Sequence, residues 1–244
     1  MSSEKNFDAL LREWNFDPHS LSVRLVKGED GRDVIQVRVD LGILQLETTG
    51  RPDGQLPNNA PTYLDALLEV EKQDPDFVMD EDQCMEADRE FVQYYHRRVA
   101  WLRLLHFRRA VQDADHTLGL MDVCRDHSPD EDWTMSHEQY RPFVLFHRTR
   151  AAALAELDDH GPEKAIAAIN EGLDRIKEVF QEHDAEEAFD EDEMVLQLIE
   201  FRESLRNDYS VGKTLSEQLA DAVASEQYEL AAQLRDQLAK QQGS

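Results

Sequence analysis

Ala100-Trp101-Leu102-Arg103-Leu104-Leu105-His106-Phe107-Arg108-Arg109-Ala110-Val111 and Ala155-Glu156-Leu157-Asp158-Asp159-His160-Gly161-Pro162-Glu163-Lys164-Ala165-Ile166 share one pattern at a shift of 55 residues. In each block a helix-like stretch ends, a short turn follows, and a small residue opens a second stretch. The register continues to Leu118 and Leu173, eight residues beyond Ala110 and Ala165. Alanine at a crossing lets two antiparallel helices approach closely, and the larger residues fill the groove between neighbours. The pattern therefore predicts a body of paired helices.

This arrangement resembles the tetratricopeptide repeat, although the shift exceeds that family's usual length and most of its tryptophan and proline positions are missing. The resemblance implies an α-solenoid, an architecture that presents binding surface before it presents chemistry. Working outward, the chain after Pro61 reads as helix almost to its end. Tyr63, Leu64, Leu67 and Leu68 mark a short helix, and an acidic stretch from Gln73 to Asp82 follows. Phe91, Tyr95, Val99 and Leu102 then share one face of a long helix. His127 to Thr134 reads as a loop by composition. Val144, Ala151 and Leu154 mark the next helix, and Ala165, Ile169, Leu173, Ile176 and Phe180 another. Asp184 to Glu193 reads as an acidic connector before a helix with Val195, Leu198, Ile199 and Leu205.

Towards the N-terminus, Phe7, Leu10, Leu11 and Trp14 form one face of a helix over Asn6 to Asn15, expected to dock on the protein's own core. The period then becomes two. Val23, Leu25, Val34, Val37 and Val39 lie in β-branched runs split by Gly28-Glu29-Asp30-Gly31, and Ile43 to Glu47 follows. These runs predict a small antiparallel sheet joined by hairpin turns, which must lean on the helices because so few strands are marginal alone. The expected fold is mainly α (α+β): a helix plus sheet over 1–60, a tetratricopeptide-like helical body over 61–207, a linker over 208–213 and a helical hairpin over 214–242.

Fifty-two acids oppose 26 bases, a formal net charge of −26. Such a chain repels phosphate backbones, which disfavours direct nucleic-acid binding. One stretch reverses the sign: His96-Arg97-Arg98, Arg103 and His106-Phe107-Arg108-Arg109. Ion pairing with the abundant acids is expected there, and a groove for an acidic peptide is the functional alternative. No apolar run is long enough to span a bilayer, and the start of the chain lacks the apolar centre of a signal peptide. Cys84 and Cys124 fall in helix-like patterns and read as buried small side chains. The natural compartment is the cytoplasm.

The last segment carries the most specific signal. Thr214-Leu215-Ser216-Glu217 can form a capping box, and Leu215, Leu219, Ala222 and Val223 share one side of the helix it starts. Ser225-Glu226-Gln227 connects to a second helix from Tyr228 to Leu238. Neither helix is long enough to persist in isolation, so their faces need the rest of the protein or a partner. The run Tyr228-Glu229-Leu230-Ala231-Ala232-Gln233-Leu234-Arg235-Asp236 resembles the UVR motif. That motif is shared by the excision-repair subunits UvrB and UvrC, ClpC-type unfoldases and McsA-type kinase activators. Leu215, Leu219, Ala222 and Glu226 also stand where the motif expects them.

The resemblance implies a hairpin that pairs with another such hairpin, with itself or with a partner protein, and does no chemistry. On physical grounds Leu219, Leu234 and Leu238 would supply apolar burial, and Ala231 and Ala232 close helix approach. Arg235 and Asp236 would orient a partner by charge, with Tyr228 the largest contact beside Glu229. Helicase, nuclease and zinc-cysteine signatures of the motif's larger carriers are absent from this sequence.

Catalytic signatures are weak elsewhere. Val211-Gly212-Lys213-Thr214 lacks the earlier glycine and the preceding strand of a phosphate loop. The acidic clusters at Asp74 to Asp82 and Asp190 to Glu193 lack the glycine and terminal Glu of a calcium loop. His96, His106 and His116 form no ligand-pair motif, so neither a metal nor a cofactor is expected. The reading is a non-catalytic adaptor or scaffold. The alternatives are an enzyme recruited by the hairpin, which a pocket of carboxylates or histidines with shifted pKa values would favour, and a regulator of a Clp-type proteolytic system.

Overall fold

The computed structural model describes residues 7–242, and the chain divides between Ala151 and Ala152 into two compact units. The chain is mainly helical, with a three-stranded antiparallel sheet near its start and a helical hairpin at its end. No helix among the described residues is long and apolar enough to cross a membrane.

In the first unit, α1 (Asp8–Glu13) is shorter than expected and buries no residue; Asn6 lies outside the described residues. Trp14 connects this segment to the sheet. Its ring lies 4.2 Å from the Arg24 guanidinium, and its carbonyl accepts from Arg38 Nε at 2.8 Å. The strands β1 (Ser22–Lys27), β2 (Asp33–Val39) and β3 (Gly42–Glu47) pair in sequence order. Val23 faces Val37, Leu25 faces Ile35, and Ile35 faces Leu46. The period-two pattern thus gathers one apolar face, which packs through Ile35, Val37 and Leu46 against Ala100, Trp101, Ala110 and Ala151.

The helices α2 (Tyr63–Gln73), α3 (Glu81–Arg103), α4 (Phe107–His127) and α5 (Glu131–Glu138) follow, and α6 (Arg141–His160) begins in this unit. Three carboxylate or hydroxyl side chains set helix starts: Thr62 for α2, Asp80 in a capping box with Gln83 for α3, and Asp130 for α5. The last corrects the expectation of a loop over His127 to Thr134. Asp130 Oδ1 accepts from the Trp133 amide at 2.8 Å, so the break between α4 and α5 is only Ser128 to Asp130. Cys84 and Cys124 are free thiols in one core with Tyr63, Leu67 and Met79, and burial raises the pKa of both.

The basic stretch divides: Arg97 and Arg98 are buried, whereas Arg103, His106, Arg108 and Arg109 are exposed. Arg97 makes a buried bidentate pair with Asp113, its Nη2 at 2.8 Å from Oδ1 and Nε at 2.9 Å from Oδ2. Its Nη1 donates to the carbonyls of Gly50 at 2.7 Å and Glu47 at 3.1 Å. Burial opposes the Arg97 charge, but Asp113 outweighs it and raises the guanidinium pKa. Arg103 and Arg109 donate to the carbonyls of Leu21 and Thr48.

The second unit contains the end of α6, then α7 (Pro162–Glu182), α8 (Glu186–Phe189), α9 (Glu193–Tyr209), α10 (Leu215–Ala224) and α11 (Tyr228–Gln242). Helix α7 packs against α9, with Ile166, Ile169, Leu173 and Ile176 buried on the former and Val195, Leu198 and Leu205 on the latter. The acidic connector holds α8, whose Phe189 meets Phe180 edge-on at 5.7 Å. It ends where Asp192 caps α9.

The two quoted blocks form the same corner. The His106 amide bonds the Trp101 carbonyl at 2.9 Å, and 55 residues later the Gly161 amide bonds the Glu156 carbonyl at 3.0 Å. Ala110 and Ala165 open the following helices with amide bonds to His106 and Gly161, and Ala100, Ala110, Ala155 and Ala165 are all buried. The repeat is therefore one of local geometry as well as of sequence.

Removing Asp113 strands a buried guanidinium, so Asp113→Ala should lose about 3–5 kcal/mol in urea denaturation. A second expectation concerns acid. Burial, helped by the nearby charges of Arg98 and Arg150, pushes His147 from 6.5 down to about 4. Between those values the unfolded chain binds the proton that the folded chain refuses, so stability falls as the pH drops through this window. His147→Gln should show a shallower decline there in denaturation curves at fixed pH steps.

Candidate functional site

The hairpin α10–α11 starts at a capping box. The Thr214 hydroxyl accepts from the Glu217 amide, and Glu217 Oε2 accepts from the Thr214 amide at 2.7 Å. The same carboxylate meets Arg206 of α9, and its Oε1 lies 3.5 Å from Arg202 Nη1. Burial pushes the Glu217 carboxyl up, but the Arg206 guanidinium and the Thr214 amide and hydroxyl outweigh it and hold the pKa below the ordinary range. The expected linker is shorter than its composition suggests. Asn207 to Tyr209 are helical, Ser210 turns left-handed at φ 56°, and Ser210 to Lys213 connect. Lys213 Nζ pairs with Asp221 Oδ2 at 2.5 Å, so the lysine and threonine that suggest a phosphate loop belong to the helix start.

The turn between the helices follows the expected Ser225-Glu226-Gln227. Glu226 takes φ 56°, the Gln227 amide bonds the Ala222 carbonyl at 2.8 Å, and Tyr228 opens α11. The seam is small. Ala222, Ala231 and Leu234 are buried, with Leu215 and Leu219 packed against them. Ala222 and Ala231 are the close-approach residues that bring the helices together. Ala232 is exposed and does not serve the close helix approach expected of it, because one residue along a helix turns the side chain by about 100°.

The eight residues read from the sequence divide between two faces. Leu234 (5% exposed), Leu219 and Leu238 lie on or beside the seam. Tyr228 (69% exposed), Glu229, Ala232, Arg235 and Asp236 are exposed. Their spacing places all five within one face of α11, about 120° wide, on the side away from Leu234. Arg235 Nη2 lies 3.8 Å from Asp236 Oδ1, an exposed contact of little energetic consequence. Val223 and Leu230 are also exposed apolar side chains on the hairpin. Val223, which the helical spacing groups with Leu215, Leu219 and Ala222, is thus not part of the seam they form. The anchor Arg206, eleven residues before Glu217, carries no local sequence signal, since the pairing crosses from one helix to another.

Residues 213–242 match the family model of the UvrB/uvrC motif, UVR. The matched span coincides with the hairpin, from the residue before its capping threonine to the end of α11. No curated protein and no solved structure matches the chain.

Because Glu217 is both capping partner and anchor of the UVR hairpin, Glu217→Ala should lose about 1–2 kcal/mol of local stability. Amide hydrogen exchange should quicken in α10 and leave α3 and α4 at wild-type protection.

Proposed function

We propose that the protein is a non-catalytic adaptor or scaffold. Its UVR hairpin binds a protein partner: another UVR-type hairpin or a second copy of this chain. The UVR match carries this reading. The small seam supports it, because a hairpin that buries Ala222, Ala231 and Leu234 alone among its described residues stabilises itself weakly and gains by burying more surface. The exposed face of α11 has the composition of a recognition surface. Tyr228 offers a large amphipathic ring, Ala232 leaves room for close approach, and Glu229, Arg235 and Asp236 supply charges that set orientation. Leu219, Leu234 and Leu238 act from beneath by holding that face in shape.

The formal charge of −26 favours a protein partner over nucleic acid in this reading, since a hairpin on so acidic a chain approaches a phosphate backbone against repulsion. The corners repeated at Trp101–His106 and Glu156–Gly161 fit a scaffold that presents the hairpin.

Tyr228→Ala in the full chain should weaken self-association or partner capture by about 2 kcal/mol, roughly thirtyfold. Arg235→Glu should weaken it less and change its salt dependence. Sedimentation velocity reads the first, and titration against the captured partner the second. Wild-type association in both variants, and in a chain ending at Lys213, would exclude the hairpin as the binding element.

A further inference from the structure

A cavity of about 470 Å³ opens among α3, α4, α5 and the start of α6, all within the first unit. Its size suits a small organic ligand. Phe91, Val92, Tyr95, Met121, Phe143 and Val144 give it largely apolar walls. Arg98 lines the same cavity and is only 2% exposed. Its Nη1 donates to Thr117 Oγ1 at 3.0 Å, while its buried Nε has no hydrogen-bond partner among the described residues.

The other buried arginines of this unit differ. Arg97 holds Asp113, Arg141 holds Glu138, and Arg51 holds Glu86 at 2.9 Å with Glu90 at 3.4 Å. No carboxylate among the described residues lies in ion-pair contact with Arg98, in a chain where acids outnumber bases two to one. Burial pushes its pKa down to about 10, which leaves it charged at neutral pH. A buried guanidinium with no carboxylate of its own is costly to keep, since the nearby Asp113 is already held by Arg97, and its planar fork of donors fits a carboxylate. Asp88, the carboxylate on the lining, is engaged elsewhere: His137 Nε2 lies 2.9 Å from its Oδ1, and Trp133 Nε1 donates to it at 3.2 Å.

We propose that this cavity binds a small monocarboxylate with an apolar body, its carboxylate paired with Arg98 and its hydrocarbon against the aromatic and aliphatic walls. Phosphate and sulfate fit less well. Their oxygens all require polar partners, whereas the walls beside Arg98 are largely apolar and the Asp88 carboxylate on the lining repels a second negative charge. The proposal makes the helical body a ligand-binding module, independent of what the hairpin recruits.

The test uses the full chain, with 3-phenylpropionate and octanoate as probes and their primary amides as neutral counterparts, read by isothermal titration calorimetry. Saturable one-site binding of at least one acid is expected, at least about tenfold tighter than its amide. Arg98→Met should remove the preference for acid over amide. Val92→Trp adds bulk at a wall position that is 57% exposed. It should keep the wild-type melting temperature and weaken acid binding at least about tenfold. Absence of binding to the folded wild type, equal binding of acid and amide, or an acid preference retained in Arg98→Met would each overturn the proposal. If Arg98→Met fails to fold, Val92→Trp decides alone, and wild-type affinity in that variant would overturn it.

Discussion

The guanidinium of Arg97 joins three elements of the first unit at one point. From α3 it pairs with Asp113 on α4, and its remaining donors reach the carbonyls of Glu47 and Gly50 at the end of β3. A three-stranded sheet has little independent stability, so its persistence depends on such attachment. Apolar packing supplies the area through Ile35, Val37 and Leu46 on Trp101 and the alanines, but packing is non-directional. The arginine fixes where the strand ends. Tyr94 reinforces it, with its ring 4.5 Å from the same guanidinium and its hydroxyl donating to the Gly50 carbonyl.

One residue further on, Arg98 meets a different environment for a simple geometric reason. Successive side chains on a helix diverge by about 100°, so adjacent charges serve different surfaces. Arg97 faces the sheet and a carboxylate; Arg98 faces an apolar cavity and a threonine hydroxyl. In sequence the two belong to one basic run; both are buried, whereas Arg103, His106, Arg108 and Arg109 of the same run are exposed.

In the second unit one short helix sets a buried side against an exposed one. Leu234 and Ala231 complete a thin seam, while the opposite face of α11 carries Tyr228 and a mixed set of charges. So small a core gives the hairpin limited stability of its own. The Glu217–Arg206 pair therefore has a particular role: it ties the first turn of α10 to α9 and fixes the direction in which the hairpin leaves the connection.

The sequence by itself determined what rests on local periodicity and local hydrogen bonding. The period-two runs became strands, the alanine-to-alanine corners became matching turns, and the Thr214–Glu217 pattern became a capping box. The UVR run was legible for the same reason, since its identity lies in consecutive residues. The polar composition of His127–Thr134 suggests a loop, but the capping capacity of Asp130 starts a helix inside it. The linker over 208–213 shrank because polar residues continue a helix as readily as they leave one. Only the tertiary structure decided which charged side chains are paired. The pairings of Arg97 with Asp113 and Arg206 with Glu217 join different helices, and no period within one helix encodes its neighbour's register. That Arg98 has no carboxylate in ion-pair contact among the described residues belongs to the same class, because it depends on which side chains surround it once four helices have packed.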